Sequence, residues 1–123
     1  MNTYQEAMEV YNKLTSYDKQ FVSPKENSIY RYVIKDKAFI DITPYFNNKD
    51  MGFINIAVLM EFRRQGLTKV LLEKAKEDCK KLGVKSLVWK CRTTNTSSFR
   101  AALANGFNLV GRDGDQLILG MEI

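Results

Sequence analysis

The chain has 123 residues, enough for one hydrophobic core and a single domain. Apolar residues make up 45% and charged residues 27%, the balance of a soluble globular fold, and no apolar run is long enough to cross a bilayer as a helix. The net charge is +5 with no histidine, which excludes Ser-His and Cys-His nucleophile pairs, a histidine base and histidine metal ligands.

Thr3-Tyr4-Gln5-Glu6 is a capping-box sequence, and Tyr4, Ala7, Met8, Tyr11 and Leu14 follow at helical spacing. Residues 3–20 therefore read as one amphipathic helix, ended by Ser23-Pro24. Segments 29–34 and 37–43 are rich in β-branched and aromatic residues around Lys35-Asp36, which predicts a hairpin closed by Pro44. Asn47-Asn48-Lys49-Asp50 marks the next turn. Residues 51–59 are apolar at nearly every position, as in a central strand covered on both faces.

That apolar run stops at Arg63-Arg64-Gln65-Gly66, and a helix begins at once. Leu67, Val70, Leu71, Ala75, Cys79 and Leu82 form its apolar stripe, with Glu73–Lys76 and Glu77–Lys81 as pairs on its wet side and Gly83 as the cap. A buried strand feeding a basic, glycine-bearing turn and then a helix suits a phosphorylated ligand. The first N–H groups of the helix lack partners and the helix dipole adds positive charge, to which Arg63, Arg64 and Lys69 add full charges. Arginines at a helix start oppose that dipole unless an anion is present, which argues for binding over plain surface charge.

Segment 84–91 reads as a further strand. Asn95 or Thr96 caps a short helix through Ala104, ended by Asn105-Gly106. Segments 107–110 and 116–123 form a hairpin around Arg112-Asp113-Gly114-Asp115. The predicted order is α-β-β-β-α-β-α-β-β, an α+β fold with one layer of sheet and helices packed on it. Trp89 and the tyrosines of residues 4–17 read as packing residues. Cys79 and Cys91 match no metal-ligand spacing and read as core thiols of a reducing cytoplasm. The polar start of the chain does not resemble a signal peptide.

Order and local sequence together resemble the GNAT superfamily of acyl-CoA-dependent N-acetyltransferases. The signature Arg/Gln-x-x-Gly-x-Gly/Ala falls on Arg63-Arg64-Gln65-Gly66-Leu67-Thr68, after the strand end Ile56-Ala57-Val58. The later motif, Asn followed by a short helix and Gly-Phe, falls on Asn95 and Gly106-Phe107. The segments Ile54-Asn55-Ile56-Ala57-Val58 and Cys91-Arg92-Thr93-Thr94-Asn95 look especially like the subgroup that acetylates ribosomal-protein N-termini. The resemblance covers roughly residues 29–123.

The resemblance implies a single, mostly antiparallel sheet flanked by helices, acetyl-CoA as co-substrate, no metal, and direct attack by a primary amine of a small molecule or protein. It implies that the N–H groups of residues 64–68, with Arg63, Arg64 and Lys69, hold the pyrophosphate, and that Ile56, Ala57 and Val58 pair with the pantetheine arm. The Val58 N–H would polarise the acetyl carbonyl, and Asn95 and Ser98 would hold the arm from the other side. Asp50 aligns with a carboxylate that serves as base in some relatives; as a residue it reads more readily as a turn or strand-capping aspartate than as a base. Glu61 reads as a solvated partner of Arg63 or Arg64. Arg92 reads either as a substrate contact or as a cap on the site edge.

The sequence departs from the family pattern at three places. Thr68 stands where Gly or Ala is usual, the family's tyrosine acid falls on Ala102, and its first strand has no counterpart ahead of the first helix. The departures keep a second reading open, a degenerate GNAT-like module that binds CoA or a partner protein. A third reading is a nucleic-acid binder. Residues 62–123 carry twelve Lys/Arg against six Asp/Glu, while residues 1–61 carry seven against eight. The basic half holds no recognised DNA or RNA motif, though, and its aromatics are not interleaved with basic residues. Homodimerisation stays open.

Overall fold

Thr3 opens the computed structural model, which describes residues 3–123. The Glu6 N–H donates to the Thr3 hydroxyl and the Thr3 N–H donates to the Glu6 carboxylate, each at 3.1 Å, so the capping box forms. The expected single helix over 3–20 is two helices, α1 (Tyr4–Asn12) and α2 (Ser16–Lys19). Thr15 turns to extended backbone and its hydroxyl accepts from the Asp18 N–H at 3.2 Å. A second cap sequence, Thr15-Ser16-Tyr17-Asp18, thus restarts the helix instead of letting it continue.

β1 (Tyr30–Ile34) and β2 (Ala38–Tyr45) form the expected hairpin, with Asp36 in the left-handed region. β2 runs on through Pro44 to pair with β3 (Asn48–Val58). Phe46 and Asn47, both at positive φ, make a two-residue turn between them. The turn expected over 47–50 therefore lies at 46–47, and Asp50 belongs to the strand. A short 3-10 turn (Met60–Phe62) leads to α3 (Leu67–Lys81); then come β4 (Ser86–Arg92), α4 (Thr96–Ala104), β5 (Asn108–Asp113) and β6 (Gln116–Glu122). β5 runs farther than expected, so its turn narrows to Gly114-Asp115.

The six strands form one sheet in the order β1-β2-β3-β4-β6-β5, and only β3–β4 is parallel. This is the expected α+β architecture. Alternation along each strand assigns the two faces. Ile40, Ile54, Leu87 and Trp89 pack with Leu71, Leu72, Ala75 and Cys79 of α3 and Ala102 of α4. Phe39 and Ala57 face the other way, against Ala7, Val10 and Leu14.

α3 buries Leu72 where Val70 and Leu82 were expected, and these two are 49% and 62% exposed. Glu77–Lys81 pairs as expected at 3.5 Å. Glu73 instead faces Lys69, while Lys76 donates to the Asn105 carbonyl at 3.3 Å and ties α3 to the end of α4. Gly83, at φ +89, ends α3: its N–H reaches the Lys80 carbonyl and the Val84 N–H reaches that of Cys79.

One buried ion pair holds the α1 face. Asp41, fully buried, accepts from Arg31 Nε and from the Lys25 N–H, both at 2.7 Å, and Arg31 lies over the Tyr4 ring. Burial pushes the Asp41 carboxyl above its usual range, while these donors pull the other way.

Gly52 sits where β3 and β4 pair. A Cβ there would stand 2.5 Å from an Ile42 γ-methyl and 3.1 Å from a Leu87 methyl. The Ile42 methyl branches directly from Cβ and cannot swing away, so Gly52→Ala should destabilise the fold by about 1–3 kcal/mol in urea unfolding.

Both cysteines are free and buried. Burial, with a smaller push from Asp78, raises the Cys79 thiol to about 12; burial raises Cys91 as well. The folded thiol keeps its proton where the unfolded one loses it, so this contribution to stability is complete below pH 9.0 and is lost as pH rises towards about 12. Native protein at pH 8 should not react with a thiol reagent until it is unfolded, and Cys79→Ala should flatten the alkaline fall in melting temperature.

Candidate functional site

The β3–β4 ladder stops early. Met51, Gly52 and Phe53 pair with Ser86, Leu87 and Val88, and beyond Phe53↔Val88 the strands separate. β3 continues through Ile54–Val58, paired with β2 alone, while β4 runs on along β6. The Leu59 N–H donates to the Lys37 carbonyl on the β2 side at 2.9 Å. Alternation then turns the N–H and C=O of Val58 and Ile56 towards the gap.

At the open end of the gap the chain makes a strained turn. Arg63 is extended, Arg64 is left-handed at φ 66, and Gly66 is left-handed at φ 78 as the N-cap of α3. A Cβ at Gly66 would touch nothing within 4 Å, so glycine is favoured there by backbone conformation and not by crowding. No side chain caps α3 and no acid lies in its first turn. The first helical bond runs from the Val70 N–H to the Gly66 carbonyl at 3.1 Å, which leaves the N–H groups of Leu67, Thr68 and Lys69 without partners in the helix. A hollow of about 270 Å³ adjoins this turn, bounded by Val58, Phe62, Gly66, Thr68, Ala101 and Asn105.

The basic residues of the turn differ in what they do. Arg63 donates from Nε to the Val58 carbonyl at 3.0 Å and from Nη2 to Asp18 at 2.8 Å. Its guanidinium is thus committed to holding α2, the turn and the end of β3 together, and its acid is Asp18 where Glu61 was expected. Lys69 stands 3.9 Å from Glu73, with both side chains largely exposed. Arg64 and Gln65 are exposed, and Arg64 has no carboxylate within ion-pair distance among the described residues.

The far wall of the gap is β4 and the start of α4. Asn95 caps α4 by accepting from the Ser98 N–H at 3.1 Å, and the Ser98 hydroxyl accepts from Trp89 Nε1 at 3.1 Å. Both residues expected to hold the ligand arm therefore also hold the wall in place. Trp89 stands edge-on to Phe107 at 5.4 Å, which joins the Gly-Phe end of the motif to the same wall.

Asp50 is not brought to this place. It sits at the opposite end of β3, eight residues from Val58, roughly 26 Å of extended chain. There it is exposed and faces Lys85 at 3.8 Å. Ala102 is fully buried in the core. Two contributors were missed from the sequence, Asp18 and Asn55. Asp18 becomes visible once Thr15 is read as a second cap. Asn55 lies in an apolar run, and its burial depends on tertiary packing.

The family model of the acetyltransferase (GNAT) family matches residues 3–107. The chain belongs to the GNAT acetyltransferase family. No curated protein matches its sequence. Many solved structures share its fold, three of them as follows. The ribosomal-protein-S18-alanine N-acetyltransferase of Escherichia coli is 20% identical with a TM-score of 0.70, over 100% of this chain and 94% of that one. The GNAT domain of S. lividans PAT is 12% identical at 0.79, over 98% and 85%. The PaiA N-acetyltransferase of Thermoplasma acidophilum, solved with coenzyme A, is 20% identical at 0.65, over 71% and 54%, so this chain spans about half of that GNAT protein.

The two arginines of the GNAT signature should separate on mutation. Arg63→Ala removes two hydrogen bonds from a half-exposed side chain and should cost about 1 kcal/mol in urea unfolding. Arg64→Ala should leave stability within about 0.5 kcal/mol and weaken coenzyme A binding in calorimetry.

Proposed function

We propose that the chain binds acetyl-CoA across the β3–β4 gap and transfers the acetyl group to an α-amine. The observation that carries this reading is the coincidence of two features. A sheet ladder stops with the polar backbone of Ile56 and Val58 turned outward, and beside it lies a helix start with no cap and no acid. An extended amide-bearing arm suits the first feature and a pyrophosphate suits the second.

Acetyl-CoA, when bound, supplies the acyl group and a thiolate leaving group. The N–H groups of residues 64–68, with the charges of Arg64 and Lys69, hold the pyrophosphate, and the Thr68 hydroxyl adds a donor. Arg63 acts as a positioning residue, because its bond to the Val58 carbonyl fixes the end of β3. The Val58 N–H then stands ready for a developing oxyanion without reorganisation. Ile56 and Ala57 continue the edge along which the arm pairs, with Asn95 and Ser98 opposite.

Asp50 lies far from Val58 with Lys85, Asp18 is held by Arg63, and Ala102 brings no acid. The chemistry can run without a protein base or acid. A thiol near pKa 8.5 leaves as a tolerable thiolate that water protonates, and the proton displaced from the amine also goes to water. An α-amine with a pKa near 8 is about one-tenth neutral at pH 7, whereas a lysine amine near 10.4 is neutral in fewer than about one molecule in a thousand. This favours α-amine acceptors, and the Escherichia coli relative is an alanine N-acetyltransferase by name. The remote Asp50 and buried Ala102 equally favour a second reading, a module that binds coenzyme A without catalysis.

A thermal-shift titration tests binding first. Acetyl-CoA at a hundred times its Kd should add about 2.7 kcal/mol, roughly 10 °C in a domain of this size. No shift at millimolar acetyl-CoA would sink the proposal. Mass spectrometry of peptides with a free N-terminus and of N-terminally blocked lysine peptides then separates the readings. Acetylation of the α-amine is expected; a thermal shift with neither product supports the non-catalytic module.

A further inference from the structure

The face of the sheet opposite α3 and α4 carries charges that the acyl-donor site does not use. Side chains alternate along β4, so Trp89 and Cys91 enter the core against α3 and α4 while Val88, Lys90 and Arg92 face the other way. Continuing the register of Phe53↔Val88 sets Asn55 level with Lys90 and Ala57 level with Arg92, across the gap. α1 packs over Phe39 and Ala57 on this face, while beside it Lys90 is half-buried and Arg92 exposed.

Neither cation is neutralised. Lys90 lies over the rings of Tyr45 and Phe46 at 5.4 and 6.0 Å, and Arg92 over that of Phe21 at 4.6 Å. Aromatic faces hold a cation in place and leave its charge intact. Neither Lys90 nor Arg92 forms an ion pair among the described residues, and Asp41, Asp18 and Asp50 are paired with Arg31, Arg63 and Lys85. Asp113 and Asp115, in the turn beyond Arg92, form no ion pair with it among the described residues. At the floor of this face the buried Asn55 Nδ2 has no hydrogen-bond acceptor.

We infer that the acceptor carries a carboxylate close to its amine, held by Lys90 and Arg92 on the face of the gap opposite α3. The inference rests on the acetyl-CoA reading for its chemistry but on separate residues for its geometry. Two cations beside an amine disfavour its protonated form, which supplies by electrostatics part of what a general base would do. They also repel polyamines and basic peptides, while the acceptor's carboxylate draws it in. Either a free acidic amino acid or a peptide with acidic residues near its N-terminus provides that carboxylate.

The test compares Ser-Glu-Glu-Ala, Ser-Lys-Lys-Ala and free glutamate as acceptors of the full chain, with binding measured by calorimetry in saturating coenzyme A. The acidic peptide should bind at least tenfold more tightly than the basic one, and its advantage should shrink in 0.5 M salt. Glutamate matching the acidic peptide assigns a small-molecule acceptor; a large deficit assigns a peptide. K90E and R92E should each reduce or invert the preference while leaving the acetyl-CoA thermal shift unchanged. Equal binding of both peptides, or a preference untouched by both variants, would overturn the inference. Because calorimetry reads binding alone, this result stands whether or not acetyl transfer is seen. Absence of the acetyl-CoA shift would count against the donor site only.

Discussion

The structure depends on where β3 and β4 stop pairing. Parallel ladders are slightly weaker per residue than antiparallel ones, and here three parallel pairs are flanked by much longer antiparallel ladders to β2 and β6. Each strand follows its stronger partner, and the weak ladder between them gives way. Gly52 lets the closed end come close enough for Ile42 and Leu87 to pack over it. At the open end Trp89, fixed by Ser98 and Phe107, keeps β4 turned towards α4. The result is exposed strand backbone in the middle of a sheet, where such groups are ordinarily paired.

The turn after β3 makes that opening usable. Left-handed backbone at Arg64 costs on the order of 1–3 kcal/mol and persists only where its surroundings over-determine it. They do so through the 3-10 turn, whose Phe62 and Arg63 N–H groups reach the carbonyls of Leu59 and Met60. Arg63 adds two side-chain bonds. One arginine therefore fixes the end of the strand, α2 and the approach to α3, so the uncapped helix start and the Val58 N–H are held relative to each other by a single side chain. The strain lies beside the N–H groups of Leu67, Thr68 and Lys69 that have no partner in the helix.

Much of this could be read from residue order. The apolar run of β3, the Arg-Arg-Gln-Gly turn, the Asn95 cap and the Gly-Phe end lie in short contiguous segments whose local chemistry fixes their conformation, and all occur where the pattern placed them. The misreadings came from competition between local signals and from contacts distant in sequence. Thr15 outcompeted continuation of the first helix. Phe46 took a left-handed conformation that glycine or asparagine normally marks, which moved the turn and carried Asp50 into the strand. Arg63 reads as a partner of the neighbouring Glu61 until Asp18, 45 residues away, is placed beside it. The splay itself has no local signature, because it follows from which of two neighbours each strand pairs with more extensively.

With Asp50 at the far end of β3 and Asp18 held by Arg63, the proposed site has positioning and fixed charge to work with. Positioning converts the encounter of thioester and amine into a reaction of neighbours, an effect worth about 7–11 kcal/mol in well-oriented systems. Fixed charge acts on both reactants. In the proposed complex, positive potential at the α3 start would favour the anionic end of the donor, and positive potential from Lys90 and Arg92 would favour the neutral form of the amine. Lys90 and Arg92 project from the face of β4 opposite α3, while Arg64 and Lys69 belong to the turn and first helical turn beyond the end of β3. On the acetyl-CoA reading, the backbone gap between β3 and β4 is where both fields meet the reacting atoms.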